Sequence, residues 1–288
     1  MTKNKSFTLI EMMVIIIIIG LLAGLVVTST ASYIESTNSA KAHTFSTNAR
    51  KQLALNILQE WRFDEGSGNK TYDINKSSNS GTLVNIGTAA GSGDGGNTGW
   101  LSSKNCISGT CLNFKGDEAS VAYVDITDTG TMPLFTLSVW VYNTSGADDG
   151  RHSMLRNFWE IVGQDVCFWS YSFAHDYWRC STGSKVSYDK WSYVTTVWDG
   201  TYVSHYINGE LNWKDGAASS GTSENFYHIA GYSGRRMRGR LDEMIIYNKN
   251  LSLSEIRQNY IAGLDSLLAQ GGLSKEEYNE RIKNLAGK

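Results

Sequence analysis

Trp191-Ser-Tyr-Val-Thr-Thr-Val-Trp198, Tyr202-Val-Ser-His-Tyr-Ile207 and Asn208-Gly-Glu-Leu-Asn-Trp213 follow one another almost without interruption in a chain of 288 residues, and they decide its fold. Apolar and polar residues alternate along each run, which puts successive side chains on opposite faces of a pleated strand. Asn208-Gly209 between two such runs is a strong hairpin signal, because both residues tolerate the positive φ that a two-residue turn demands. Leu134-Phe-Thr-Leu-Ser-Val-Trp-Val-Tyr142 alternates in the same way. Outward from these strands, glycine- and serine-rich connectors at 77–99, 144–150 and 214–223 are too polar for a core and read as loops. Twenty-nine glycines, nine tryptophans, fifteen tyrosines and a single proline, Pro133, describe short aromatic strands joined by flexible turns. With no long helix between residues 60 and 250, the expectation is an antiparallel β-sandwich of two sheets, a jelly roll.

The first thirty residues, MTKNKSFTLIEMMVIIIIIGLLAGLVVTST, carry a different message. Met12 to Val27 is uncharged and almost wholly apolar, and residues 7–27 match the roughly 20 residues of helix that a bilayer needs. A secretory signal peptide, cut near Ser29-Thr30-Ala31, is one reading. A plain signal anchor, oriented by Lys3 and Lys5 on the cytoplasmic side, is another. Neither accounts for Glu11, since an ionisable group at membrane depth costs about 2.5 kcal/mol or more and implies a partner. Ala31, Ile34, Ala42, Phe45, Ala49, Leu53 and Ile57 recur near helical spacing, with no proline and no glycine between Gly24 and Gly66. One helix from about Thr8 to Leu58 is therefore expected, with Gly20 and Gly24 as a small-xxx-small pair for close approach. Beyond Leu251 the chain turns helical again: Ser252-Leu-Ser-Glu255 has the form of a capping box, and Gly271-Gly272 separates a second helix started by Ser274.

Ser6-Phe7-Thr8-Leu9-Ile10-Glu11 resembles the processing site of type IV prepilins and their pseudopilin relatives, with Ser6 standing where the family carries glycine. The resemblance implies that a prepilin peptidase cuts between Ser6 and Phe7 and that the new amine of Phe7 is methylated. Glu11, fifth in the mature chain, would neutralise that amine on a neighbouring copy during filament assembly. The chain lacks the helix-distorting proline that many major pilins carry near the position of Thr28, which leans toward a minor pilin or pseudopilin. Trp61-Arg-Phe-Asp-Glu-Gly-Ser-Gly68, Asp73, Cys111-Leu-Asn-Phe-Lys-Gly116, the strands named above and Gly239-Arg-Leu-Asp-Glu-Met-Ile-Ile-Tyr247 with Leu251–Ile256 resemble, in that order, the LamG-like, concanavalin A-type jelly roll. That implies a curved sandwich of a kind that binds sugars or proteins. The expected organisation is a leader at 1–6, a pilin helix at 7–58 with its transmembrane segment at 7–27, a jelly-roll head at 59–250 and a helical tail at 251–288.

Catalysis is not expected. The Glu-x-Asp-x-x-Glu strand that gives glucanases of this superfold their paired carboxylates is missing, and Glu60, Asp64 and Glu65 have the wrong spacing. Ser92 to Trp100 nearly spells a sialidase-type aspartate box, but its tryptophan comes one residue late. His43, His152, His175, His205 and His228 show no paired ligand spacing for zinc. No cofactor is required on this reading, and the one candidate is a structural calcium at Asp64 and Asp242, set against their ordinary use in turns and strand ends. Four cysteines in an exported domain allow three pairings. Local ties, Cys106 with Cys111 and Cys167 with Cys180, are the economical choice, with buried free thiols as the alternative.

Trp159, Phe168, Trp169, Tyr171, Phe173, Tyr177 and Trp178 concentrate aromatics that suit sugar rings or a core, and Arg235, Arg236, Arg238 and Arg240 form a basic run before the last strand. A formal net charge of -2, made more acidic by loss of Lys3 and Lys5, argues against nucleic acid as the main partner. The expectation is a pilin-like subunit, held in the cytoplasmic membrane as a precursor and then displayed at the cell surface in a filament, with a head that binds glycan or protein. Its partners would be the peptidase, other copies or related pilins, and the membrane. The alternative is a monomeric anchored or secreted glycan-binding protein, and behind it a glycosidase.

Overall fold

The computed structural model describes residues 9–10, 12–19, 53–76, 79–86, 99–115, 121–127, 129–130, 132–145, 151–156, 158–168, 179–183, 185–216, 227–231 and 235–286. The chain divides into two compact units, Met1–Asn48 and Ala49–Lys288. In the first unit residues 9–10 and 12–19 are helical, and their apolar side chains stand 41% to 79% exposed, surface that demands a partner or a membrane. Among the described residues no helix is long and apolar enough to cross a membrane. Ser6, Phe7, Glu11, Gly20 and Gly24, and most of the expected helix at 7–58, lie outside the described residues.

The second unit is a sandwich of two eight-stranded sheets. The first runs in the order β14 (Glu210–Gly216), β13 (Tyr202–Ile207), β12 (Trp191–Trp198), β7 (Phe135–Asn143), β16 (Gly239–Tyr247), β5 (Thr110–Phe114) and β4 (Trp100–Ser102), with β1 (Ile57–Trp61) also paired to β16. The second runs β11 (Arg179–Cys180), β10 (Asp165–Phe168), β9 (Trp159–Val162), β8 (Arg151–Leu155), β15 (His228–Ile229), β6 (Tyr123–Asp125), β3 (Ser80–Val84) and β2 (Lys70–Tyr72). All the strand pairings are antiparallel. The hairpin read from Asn208-Gly209 is present, with φ of 53° and 76° at its two residues.

Alternation decides which side chains fill the space between the sheets. Leu137, Val139, Val141, Val194 and Trp198 from the first sheet meet Val124, Met154, Trp159, Ile161 and Phe168 from the second. The other face of the first sheet is also apolar: Trp140, Tyr193, Val197, Ile245 and Tyr247. It is covered by α1 (Leu253–Ala269) and α2 (Lys275–Ala286), through Ile256, Tyr260, Leu264, Leu267 and Leu285. The capping box at Ser252 and Glu255 starts α1 as expected. So the C-terminal tail packs on the sandwich as a third layer.

One boundary differs from the sequence expectation. Helical geometry ends at a short 3-10 turn, Ala54–Asn56, and Ile57 and Leu58 open strand β1. Ile57 to Trp61 pairs with Tyr247 to Met244. Those ladder hydrogen bonds and the burial of Trp61 outweigh a helical preference that is only a few tenths of a kcal/mol per residue.

Candidate functional site

Charged side chains gather at several places among the described residues of the head, and two of these bear on function. The first surrounds the disulfide loop Cys106–Cys111. Asp242, fully buried on β16, accepts hydrogen bonds at Oδ2 from the backbone N–H of Ile107 (2.7 Å) and Ser108 (3.2 Å), and at Oδ1 from Glu243 N–H (2.9 Å). Burial pushes the Asp242 carboxyl well above its ordinary pKa, and neighbouring Glu243 adds to this, while the three backbone donors offset some of the rise. Asp64, just after β1, accepts from Thr110 N–H at 3.1 Å on the other side of the same loop. Gln270 at the end of α1 donates to Ile107 O at 2.7 Å.

The two aspartates proposed from sequence as a calcium pair thus grip one loop. Every bond they make there is to an N–H, whose positive end faces the carboxylate as a cation would. Among the described residues the one grouping of candidate metal ligands is Cys106, Cys111 and Asp242, and its sulfurs are joined in the disulfide. The second disulfide, Cys167–Cys180, ties β10 to β11 at directly opposed positions. Both local pairings read from the sequence are therefore present.

The second cluster lies on the outward face of the second sheet. Along β6, Val124 is buried in the core while Tyr123 and Asp125 alternate to the other side. Register puts Asp125 opposite His228 of β15, whose neighbour Ile229 is likewise in the core. Arg156, the residue after β8, donates its backbone N–H to His228 O at 3.2 Å, so its side chain reaches the same spot. Arg156 Nη1 lies 3.1 Å from His228 Nδ1, and His228 Nε2 lies 3.2 Å from Asp125 Oδ1. A guanidinium only donates, so Nδ1 must accept and the imidazole proton sits on Nε2, aimed at the carboxylate. Burial and the Arg156 cation hold the His228 pKa below its usual value, with Asp125 opposing them.

Two tyrosines frame this chain of hydrogen bonds. Tyr123 tilts against the imidazole with ring centroids 4.4 Å apart, and Tyr227 meets it edge-on at 4.8 Å. The Arg156 guanidinium lies over the Tyr227 ring at 5.0 Å. Further along β8 and β9, the fully buried Glu160 carboxylate accepts from both Arg151 (3.1 Å) and Arg235 (3.1 Å). Burial raises the Glu160 pKa, and the two arginines oppose that rise.

The arginine run 235–240 is not a single basic patch. Arg235 serves Glu160 on the second sheet, whereas Arg240 stacks over Tyr142 at 4.3 Å on the first and donates to Asn105 O. Trp159 and Phe168 of the aromatic run are core residues, and Trp169, Tyr171, Phe173, Tyr177 and Trp178 lie outside the described residues. Sequence reasoning missed Tyr123, Asp125 and Arg156, and it weighed His228 only as a zinc ligand. The one available signal was the alternation Tyr-Val-Asp at 123–125.

Residues 1–27 match the model of the prokaryotic N-terminal methylation motif, and residues 116–257 match that of the concanavalin A-like lectin/glucanases superfamily. The chain joins a methylation motif to a concanavalin A-like head. The matched stretch of the head begins at β6 and reaches into α1, while β1, β4 and β5, which precede it, are built into the same first sheet.

No curated protein matches the chain. Among solved structures, the head is similar to the binding domain of Paraclostridial Mosquitocidal Protein 1, at 14% identity and a TM-score of 0.51, covering 74% of this chain and 53% of that one. It is also similar to the binding domain of botulinum neurotoxin serotype D, at 13% identity and a TM-score of 0.50, covering 74% and 53%. The same toxin's domain in complex with N-acetylneuraminic acid matches at 14% identity and 0.50, covering 75% and 53%. The chain spans about half the length of these structures, and at such identity the likeness is one of fold.

Proposed function

We propose that this protein is a type IV pilin-like subunit, major or minor, whose non-catalytic jelly-roll head is displayed on a filament for adhesion to glycan or protein. The observation that carries the reading is the methylation motif over residues 1–27, with Glu11 five residues into the chain that cleavage after Ser6 would leave. The freed amine of Phe7 is a cation in a low-dielectric setting, and a carboxylate from a neighbouring copy is the group that neutralises it at least cost. The exposed apolar side chains of residues 9–19 support the same reading, since they would be covered first by lipid and then by other subunits. The precursor is held in the cytoplasmic membrane through residues 7–27, and the peptidase that processes it is its first partner. A lectin-like sandwich with an aromatic and charged outward face supports adhesion as the work of the head.

Intact mass and N-terminal sequencing of the protein from its native membrane or surface fraction test this. A chain beginning at methylated Phe7 is the expected result. An intact Met1 would mean a monomeric anchored lectin, and a start near Ala31 a secreted one. Glu11→Ala should abolish incorporation into filaments while leaving the precursor in the membrane.

A further inference from the structure

Resting on the adhesive reading of the head, we propose that the cleft between α2 and the segment leading into β12 is a binding site for an uncharged saccharide. Its volume is about 640 Å³, inside the span of roughly 300–1,000 Å³ in which small-molecule sites fall. Helical periodicity builds one wall: Glu276, Glu280 and Asn284 recur one turn apart along α2, and all three are exposed and line the cleft. Ser187 and Lys190 line it from the segment before β12. That wall is held before any ligand arrives, because Arg281 of α2 donates to Trp191 O of β12 at 3.2 Å and to Glu277 at 2.7 Å. Such preorganisation removes the ordering cost that weakens binding at loose surfaces.

The chemistry on offer is that of a polyhydroxylated, neutral ligand. Among the described residues the side chains of Ser187, Lys190, Glu276, Glu280 and Asn284 make no hydrogen bond or ion pair, so the cleft presents unengaged donors and acceptors together. Lys190 can only donate, the carboxylates can only accept, and the serine hydroxyl and asparagine amide do both. A sugar hydroxyl also donates and accepts at once, so one ring answers every kind of neighbour. The apolar side chains that reach the cleft, Ile207, Tyr260 and Leu285, are buried, which leaves no apolar pocket in its described lining to anchor a peptide side chain. Charge decides against acidic sugars. Glutamates 210, 276, 277 and 280 outnumber Lys185, Lys190 and Arg281 in the lining, and Lys185 is already paired with Asp165, so a carboxylated or sulfated ring would be repelled. Lys190 opposes a purely cationic occupant in the same way.

The test uses full-length protein in detergent on an array bearing neutral, carboxylated, sulfated and amino-bearing saccharides, with basic peptides alongside. The expected result is selective binding to neutral saccharides, weakened more than about tenfold by Asn284→Ala and by Glu280→Ala and unchanged by Asp125→Ala on the outward face of the second sheet. Both cleft variants alter exposed side chains and should keep the wild-type melting temperature. Neutral-sugar binding that neither cleft variant weakens, or that Asp125→Ala abolishes, overturns the site while the head remains a lectin. Preference for acidic or amino-bearing sugars, or for basic peptides, overturns it as well. No glycan bound at all overturns both the site and the glycan-binding half of the adhesive reading, and leaves the processing at Phe7, read separately by mass, as it was.

Discussion

Asp242 shows how one buried carboxyl group can hold a loop. Its two oxygens take three backbone N–H groups, two of them from the turn closed by Cys106–Cys111. Asp242→Ala would strand those donors, at about 1–3 kcal/mol for a buried group left unsatisfied, and for a domain of this size each kcal/mol lowers the melting temperature by roughly 2–4 °C. Asp242→Asn keeps one acceptor oxygen and should cost less. The sign of the pH dependence follows from the raised pKa: the folded state binds the proton more tightly than the unfolded one, so this group's contribution is fullest below the unfolded value and is lost as pH rises through the folded value. The asparagine variant has no such proton. Its deficit in melting temperature relative to wild type should therefore shrink between about pH 4 and neutrality. A gap that stays constant, or widens, would show that Asp242 is ionised throughout.

At the scale of elements, the contact between α1 and the first sheet depends on one missing side chain. A Cβ at Gly263 would come within 2.4 Å of the Trp140 indole. That indole cannot retreat, because it is stacked against Tyr260 at 5.5 Å and packed at a tilt against Tyr193 at 5.3 Å. Replacing a helical glycine by alanine normally gains about 0.8–1.0 kcal/mol, while forcing atoms into a packed core costs about 1–3. The second effect should win, so Gly263→Ala is expected to lower the melting temperature and to change tryptophan fluorescence. An increase would mean that α1 docks more loosely than its contacts indicate.

Which elements were legible follows from the same physics. Strands β7, β12, β13 and β14 could be read directly, since their alternation and Asn208-Gly209 are local signals. Strand β1 could not, because Leu53 and Ile57 also fit a helical period and only pairing with a strand about 190 residues away makes Ile57–Trp61 extended. The sheet-face cluster was hidden for a related reason. Tyr123, Arg156 and Tyr227 are brought together by register, which no window of sequence contains.

For the whole molecule, the head is a three-layer body with covalent ties at two local points. The Cys167–Cys180 bridge spans a sequence separation of 13 and by chain entropy contributes about 3 kcal/mol, with somewhat less from the shorter Cys106–Cys111 loop. Reduction should therefore lower the melting temperature by several degrees. Removing calcium with a chelator should leave it unchanged, since the carboxylates at the seam are engaged by N–H groups. A chelator-induced drop reversed by calcium would restore a cation to that seam.

Strand β1 also fixes how the head would respond to tension. It is the first strand after the N-terminal unit, and it lies antiparallel beside β16, itself bonded to β7 and β5 in the middle of the first sheet. A pull directed along the length of β1 would load this pair in shear, so that the hydrogen bonds from Ile57 to Trp61 slip together instead of breaking singly in turn. Asp64, a few residues further on and bonded to the disulfide loop, resists the same displacement. On the proposed adhesive reading, load between the N-terminal unit and the head would enter through this β1–β16 pair.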